Sequence, residues 1–337
     1  MTSISASAPG KVVLSGEYAV LREAPAISTA VDCRAVVRLA TSRNDFHDIT
    51  TPGHAEGTWR FTSNDAGEID WLDDPPALGL ALVEEAWLAT VPREHGGLSL
   101  TLDTSDFFAS EPDAKLGLGS SAAAMTALIA ALCRQGPGPD DIGVLAGKAH
   151  TALQHGLGSG VDITTSVHGG VIEFRTSRPN TPLRRPWPVG LGYRFLWSGK
   201  PANTMKKLSK LESSGGGRES WQSLLDAAEG AALAWAGGDV SEILDAFRCY
   251  TDTLRKFSID HDLGIFDAGH AELTDVAASF GVVYKPCGAG GGDIGIVMAS
   301  DNAAISRFCE QAGKNGYQHL AVSLDPNGVR ISVGDDH

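Results

Sequence analysis

The sequence predicts an α+β protein built in two parts, and three observations lead there. Residues 3–40 read as a succession of strands, whereas residues 219–280 read as three consecutive helices. A proline-rich link at Pro179, Pro182, Pro186 and Pro188 separates a first part, residues 1–175, from a second, residues 190–337. Three glycine-rich segments lie at the start, middle and end of the chain, each with one charged residue: Lys11, Asp162 and Asp293. With 337 residues the chain can form two domains or one large two-part body.

In order, strands are expected at Ser3–Ala8, Lys11–Leu14, Ala26–Val31 and Arg34–Leu39, with Pro9-Gly10 as a turn between the first two. Residues 41–75 are polar and carry Trp59 and Trp71 on further strands. A helix follows at about Pro76–Thr90, with Leu78, Leu80, Leu82, Val83 and Trp87 as its apolar residues. Gly97–Leu102 alternates as a strand does, and Asp103–Ala114 is irregular around the pair Phe107 and Phe108. Helices are expected from Ala122 to Leu132, capped by Ser120 or Ser121, and from Asp140 past Leu153, stopped by Gly156. Asp162 reads either as the N-cap of a short helix or as a carboxylate facing a bound phosphate. Strands at Gly169–Arg175 and Gly192–Trp197 precede helices at Glu219–Ala236, Val240–Phe257 and Ile265–Phe280. A glycine turn between two strands at 282–298, a helix from about Asn302 to Asn315 and two strands end the chain. These final strands are free to return to the first sheet.

Composition narrows the function. A formal charge of −14 argues against a nucleic-acid partner, because phosphate backbones are held by basic surface. It leaves room for a small phosphorylated substrate, since a few local lysines outweigh the average. Five cysteines, Cys33, Cys133, Cys249, Cys287 and Cys309, are scattered without a CxxC pair, as expected of free thiols in a reducing cytoplasm. No basic-then-apolar leader is visible and the longest small-apolar run, Ala122–Cys133, is too short for a bilayer, so no membrane role is expected. The ten histidines include no HExxH.

The stretch Lys115-Leu116-Gly117-Leu118-Gly119-Ser120-Ser121-Ala122 carries the clearest chemistry. Gly117 and Gly119 let the backbone approach a bulky anion, and the helix start behind them offers unpaired N–H groups and roughly +0.5 of a charge. It reads as a phosphate loop or as a plain loop-to-helix junction. No GxxxxGK[ST] occurs, and no strand precedes Gly117, so neither a P-loop nor a Rossmann dinucleotide site fits. Lys11 sits on a turn, and Lys200, beside Ser198, Asn203 and Thr204, is a plausible anion cradle or simply a polar turn.

Ala8-Pro9-Gly10-Lys11, Gly117-Leu118-Gly119-Ser120-Ser121-Ala122-Ala123 and Gly288-Ala289-Gly290-Gly291-Gly292-Asp293 together resemble the three ordered motifs of the GHMP kinases. Within that superfamily the chain is most similar to the phosphomevalonate kinase group. Lys115 before Gly-Leu-Gly-Ser-Ser, Ala149-His150 ahead of Gly158-Ser159-Gly160-Val161-Asp162, Trp197 to Thr204, and Lys285 before the final glycine turn all match its form. Two departures stand out: Val161 replaces an aromatic, and no acid stands at His150 or Thr151, where mevalonate kinases carry a magnesium-binding glutamate.

The resemblance implies a ribosomal-protein-S5-like N-terminal domain, a ferredoxin-like C-terminal domain, and transfer of the ATP γ-phosphoryl group to 5-phosphomevalonate. It implies ATP binding at Lys115, Gly117, Leu118, Gly119, Ser120, Ser121 and Ala122, with Mg2+ on Ser121. Lys11 and Asp162 would be catalytic, and Glu17, Tyr18, Ser159, Gly160, Lys200, Gly288, Ala289 and Gly290 would bind substrate. Because an acceptor phosphate ionises with a pKa near about 6, Asp162 is expected to orient Lys11 and the metal more than to act as a base. A hydroxyl acceptor such as mevalonate or a sugar, and a non-catalytic GHMP-fold binding protein, remain alternatives. A monomer or homodimer is expected.

Overall fold

The computed structural model describes residues 2–76, 79–92, 96–109, 114–133, 138–202, 204–213 and 217–335; Leu78 and Asn203 fall outside them. The chain runs β1 (Thr2–Ser15), a 3-10 turn (Ala19–Arg22), β2 (Ala26–Thr41), β3 (His47–Thr51), β4 (Ala55–Ser63), β5 (Ile69–Trp71), α1 (Ala81–Thr90) and β6 (Leu98–Asp103). It continues through α2 (Ser120–Leu132), α3 (Pro139–Leu153), α4 (Val161–His168), β7 (Val171–Phe174), β8 (Leu183–Arg185) and β9 (Gly192–Trp197). Next come α5 (Thr204–Ser213), α6 (Arg218–Gly237), α7 (Val240–Asp260), α8 (His270–Ala277), β10 (Val283–Pro286), β11 (Ile294–Ala299), α9 (Asn302–Lys314), β12 (Gln318–His319) and β13 (Arg330–Asp335).

The larger sheet has the order β13-β1-β2-β6-β3-β4-β5, with β7 on the first half of β2 and β8 beyond it. Pro9-Gly10 does not divide β1 as the turn reading expected. Instead the register against β2 shifts there: Pro9 faces Arg34 while Gly10 faces Val31, so two residues of β2 are left over. β13 pairs only with Thr2–Ser7, so the missing N–H of Pro9 lies beyond the end of that ladder. A bulge of this kind re-aims the residues after it, and Lys11 is the first of them. The backbone N–H of Lys11 then bonds Leu118 O at 2.8 Å, tying the strand to the loop before α2.

Helix α2 is buried on every side from Ala122 to Leu132, so it is a core helix and shows no polar face. α6 and α7 are amphipathic instead. Trp221, Leu224, Ala228, Ala231, Ala232 and Trp235 face inward from α6, and Ile243, Phe247, Tyr250, Leu254 and Phe257 from α7. Asp239 caps α7 by accepting the Glu242 N–H. One apolar cluster runs from β1 and β2 through α2 to α6, α7 and β11, and a smaller one lies under β10, α8 and α9.

The second sheet has the order β10-β11-β9-β12. The proline-rich link holds β8, which pairs with β7 in the larger sheet. Two short elements were not expected, β8 and α5. The helix expected at Ile265–Phe280 begins only at His270, because Ala268 and Gly269 have positive φ and break the path.

Candidate active site

At the start of α2 the chain takes a left-handed step at Gly119 (φ 79°), which is the N-cap, and no side chain caps the helix. Ser120 and Ser121 lie inside the first turn, so the expected serine cap is not made. The N–H groups of Ser120, Ser121 and Ala122 are therefore first-turn donors with no side-chain acceptor. Both loop glycines are demanded by neighbours. A Cβ on Gly119 would stand 2.9 Å from Lys11 Cε, and one on Gly117 would stand 2.8 Å from Asp293 Oδ2 and closer still to Asp293 Cβ and Cγ.

The bulge in β1 sends Lys11 across this loop toward α4. Its Nζ lies 3.0 Å from Asp162 Oδ1, with the side chains 12% and 31% exposed, so the pair is open to a ligand from one side. Asp162 is not the cap of α4; Gly160 (φ 82°) is, and Asp162 stands in the first turn, where the helix dipole favours its charge. That leaves its carboxylate available to Lys11.

Two clefts flank this arrangement. One, of about 120 Å3, is lined by Lys11, Asp162, His150, Ser159, Gly160, Tyr18 and the turn residues Gly288 and Ala289, with Glu17 in its floor and Leu208 and Thr204 of α5 on one side. The other, of about 220 Å3, is lined by Lys115, Ser120, Ser121, Phe108, His54 and Leu102. A hydrogen bond of 3.2 Å between Ser121 Oγ and His150 Nε2 stands between them. Burial pushes His150 below the usual histidine range, Asp162 partly opposes that and Lys11 adds to it, so a neutral imidazole faces the cleft.

Glu17 does not offer its carboxylate to the cleft, against expectation. Oε1 is 2.5 Å from Lys285 Nζ and Oε2 accepts from Tyr250 OH at 2.7 Å, with Lys285 fully buried and the Glu17 side chain 2% exposed. Lys200 departs likewise: its side chain is exposed, and its carbonyl accepts the Asp293 N–H at 2.7 Å. The turn at 198–202 grips Asp293 in place of an anion, since Ser198 N–H bonds Asp293 O at 2.8 Å and Ala202 N–H bonds Asp293 Oδ1 at 3.0 Å. Gly290 packs against Ile265 behind the cleft wall, whereas Gly288 and Ala289 face the cleft. His270, buried beneath, places Nε2 3.1 Å from Gly292 O and Nδ1 2.8 Å from Tyr284 OH. A carbonyl only accepts, so Nε2 carries the proton.

Tyr250 and Leu208 carry no signal in the sequence, Lys285 stands there only as part of a motif, and Thr204, expected beside Lys200 in an anion cradle, lines the smaller cleft. Nothing near Tyr250 in the chain signals its contact with Glu17, 233 residues away.

A family model described as the GHMP kinases N terminal domain matches residues 81–170. The phosphomevalonate kinase of Streptomyces sp. strain CL190 is 30% identical, over 88% of this chain and 90% of its own length. This chain belongs to the GHMP kinase family. As a GHMP kinase it is an ATP-dependent phosphotransferase. Another relative, the mevalonate kinase of Pyrococcus horikoshii, is 29% identical over 56% of each chain. The fold is shared with Streptococcus pneumoniae phosphomevalonate kinase solved with phosphomevalonate and AMPPNP, with a TM-score of 0.77, 17% identity, and coverage of 95% of this chain and 99% of that one.

Proposed function

We propose that this GHMP kinase transfers the γ-phosphoryl group of ATP to the phosphate of 5-phosphomevalonate, giving 5-diphosphomevalonate and ADP, a step of isoprenoid synthesis. The observation that carries the phosphate acceptor is the 30% identity to a phosphomevalonate kinase over 88% of this chain, and the charge balance of the smaller cleft suits any anionic acceptor. Asp162, the carboxylate that faces it, is paired with Lys11, the Glu17 carboxylate beneath is turned to buried Lys285, and the imidazole beside them is neutral. An acceptor that arrives as an anion meets no unpaired carboxylate among the described lining residues.

In this reading the larger cleft takes the nucleoside end, with Phe108 as an apolar wall, and Lys115 meets the phosphates. The first-turn N–H groups of α2 hold the triphosphate. Lys11 bridges donor and acceptor and offsets their mutual repulsion. Asp162 holds Lys11 in place, and Ser159, Gly160 and Tyr18 line the acceptor side. Among the described residues no group of three or more acidic, histidine or cysteine side chains is placed to cage a metal. The oxygen donors present, the Ser121 hydroxyl and Asp162, suit Mg2+, which keeps waters and phosphate oxygens around it, and they would hold the ion. The ion would neutralise charge on the β- and γ-phosphates.

A hydroxyl acceptor is the second reading, favoured by the mevalonate kinase likeness; Asp162 would then also take the hydroxyl proton. ADP release measured across mevalonate, 5-phosphomevalonate and several sugar phosphates separates the two. Turnover of 5-phosphomevalonate with none of mevalonate supports the proposal, and the reverse refutes it.

A further inference from the structure

The geometry points to Lys285, Glu17 and Tyr250 as a buried positioning network that sets the wall of the acceptor cleft through Tyr18. The three residues come from separate segments: the turn after β1, the middle of α7 and strand β10. Lys285 Nζ sits 2.5 Å from Glu17 Oε1, and Tyr250 OH donates to Glu17 Oε2 at 2.7 Å. The same Tyr250 oxygen accepts the Gly16 N–H at 2.9 Å. The turn is thus gripped by its backbone and by its side chain.

What the grip holds is the next residue. Tyr18 has φ 61° and ψ −44°, an uncommon backbone state for a bulky side chain, which persists only where its surroundings enforce it. In that state the Tyr18 ring lies in the acceptor cleft and its hydroxyl donates to Ala289 O at 2.7 Å, on the glycine turn that forms the opposite wall. Lys285 stands three residues before Gly288 at the root of that same turn. The network therefore joins both walls twice, once below through Glu17–Lys285 and once above through Tyr18–Ala289. None of these residues lines the nucleotide-side cleft.

A purely structural ion pair would lower thermal stability and leave the Michaelis constants of the folded enzyme unchanged. A positioning network would alter the acceptor term alone. The test is Tyr250→Phe, which keeps the ring and the ion pair but removes the hydroxyl that holds Gly16 and Glu17. The expected result is at least a tenfold rise in KM for the acceptor, with KM for ATP within twofold of wild type. Tyr18→Phe should give the same split, and the Tyr18→Phe/Tyr250→Phe double variant should cost no more than the larger single effect, because both cut one chain of contacts. Glu17→Gln/Lys285→Met, which removes both charges together, supplies a second variant with the same expected split. Equal changes in both KM values, or a lowered Tm with neither KM changed, would overturn the inference, as would full additivity in the double variant. The inference rests on the proposed reaction only in giving the Lys11 cleft to the acceptor. It is measured with whichever acceptor the wild-type enzyme turns over, so failure of the variants and failure of 5-phosphomevalonate as substrate are separate results.

Discussion

Replacing Gly117 with alanine tests how the phosphate loop is held against the final glycine turn. Gly117 has φ +77°, a region that costs an L-residue roughly 1–2 kcal/mol. Its added Cβ would stand 2.8 Å from Asp293 Oδ2 and closer to the carbons, so Asp293 must move. That carboxylate accepts the Ala202 N–H at 3.0 Å, and a hydrogen bond to a charged group is worth about 1.5–3 kcal/mol. Backbone strain and the lost bond together come to about 2.5–5 kcal/mol. The cost falls on the junction of loop, hairpin and 198–202 turn. We expect Gly117→Ala to lower Tm clearly and to raise KM for ATP at least tenfold, read by thermal melting and a coupled ADP assay. An alanine variant with wild-type Tm and a KM for ATP within twofold would refute this packing argument.

Lys11→Met should lower kcat by about 10²–10³-fold while ATP still binds, because it removes a cation aimed at developing charge; calorimetric ATP titration beside kcat checks it. Arg34→Met should destabilise by about 3 kcal/mol, because Arg34 pairs with the buried Asp325 and bonds Gly328 O at 2.7 Å beside the β1–β2 bulge; chemical denaturation reads it. His270 is pushed down to about 4 by burial, so the unfolded chain, titrating near 6.5, binds a proton that the folded one refuses between those values. Its contribution is therefore present above about pH 6.5 and falls by up to about 3 kcal/mol as pH drops to 4, and His270→Gln should flatten that part of the stability curve in pH-dependent melts.

Much of this arrangement is legible in the chain, for physical reasons. Gly117, Gly119, Lys11 and Asp162 stand out because each is a glycine or a charge in a glycine-rich segment, where the backbone can come close to an anion. β9 is read residue for residue because its apolar run Phe195-Leu196-Trp197 stops at the turn residues Ser198 and Gly199. What stayed hidden depends on distance through space. Pro9-Gly10 reads as a turn locally, and only pairing with β2 converts it into a bulge. The serine cap of α2 is a sound local expectation that loses to a glycine in the left-handed state. Glu17, which the resemblance gives to the substrate, carries no local sign of its ion pair because Lys285 lies 268 residues away. α5 was missed because Lys206, Lys207 and Lys210 mask its single buried leucine, Leu211.

The reaction proposed here forms a P–O–P bond between two phosphates, whereas phosphorylation of a hydroxyl leaves an isolated C–O–P ester. Phosphorus NMR of the product made from 5-phosphomevalonate and ATP distinguishes these directly. The expected result is a pair of mutually coupled pyrophosphate doublets from the acceptor beside the ADP signals. Two uncoupled phosphomonoester resonances from the acceptor, or ADP formed with the acceptor unchanged, would contradict it.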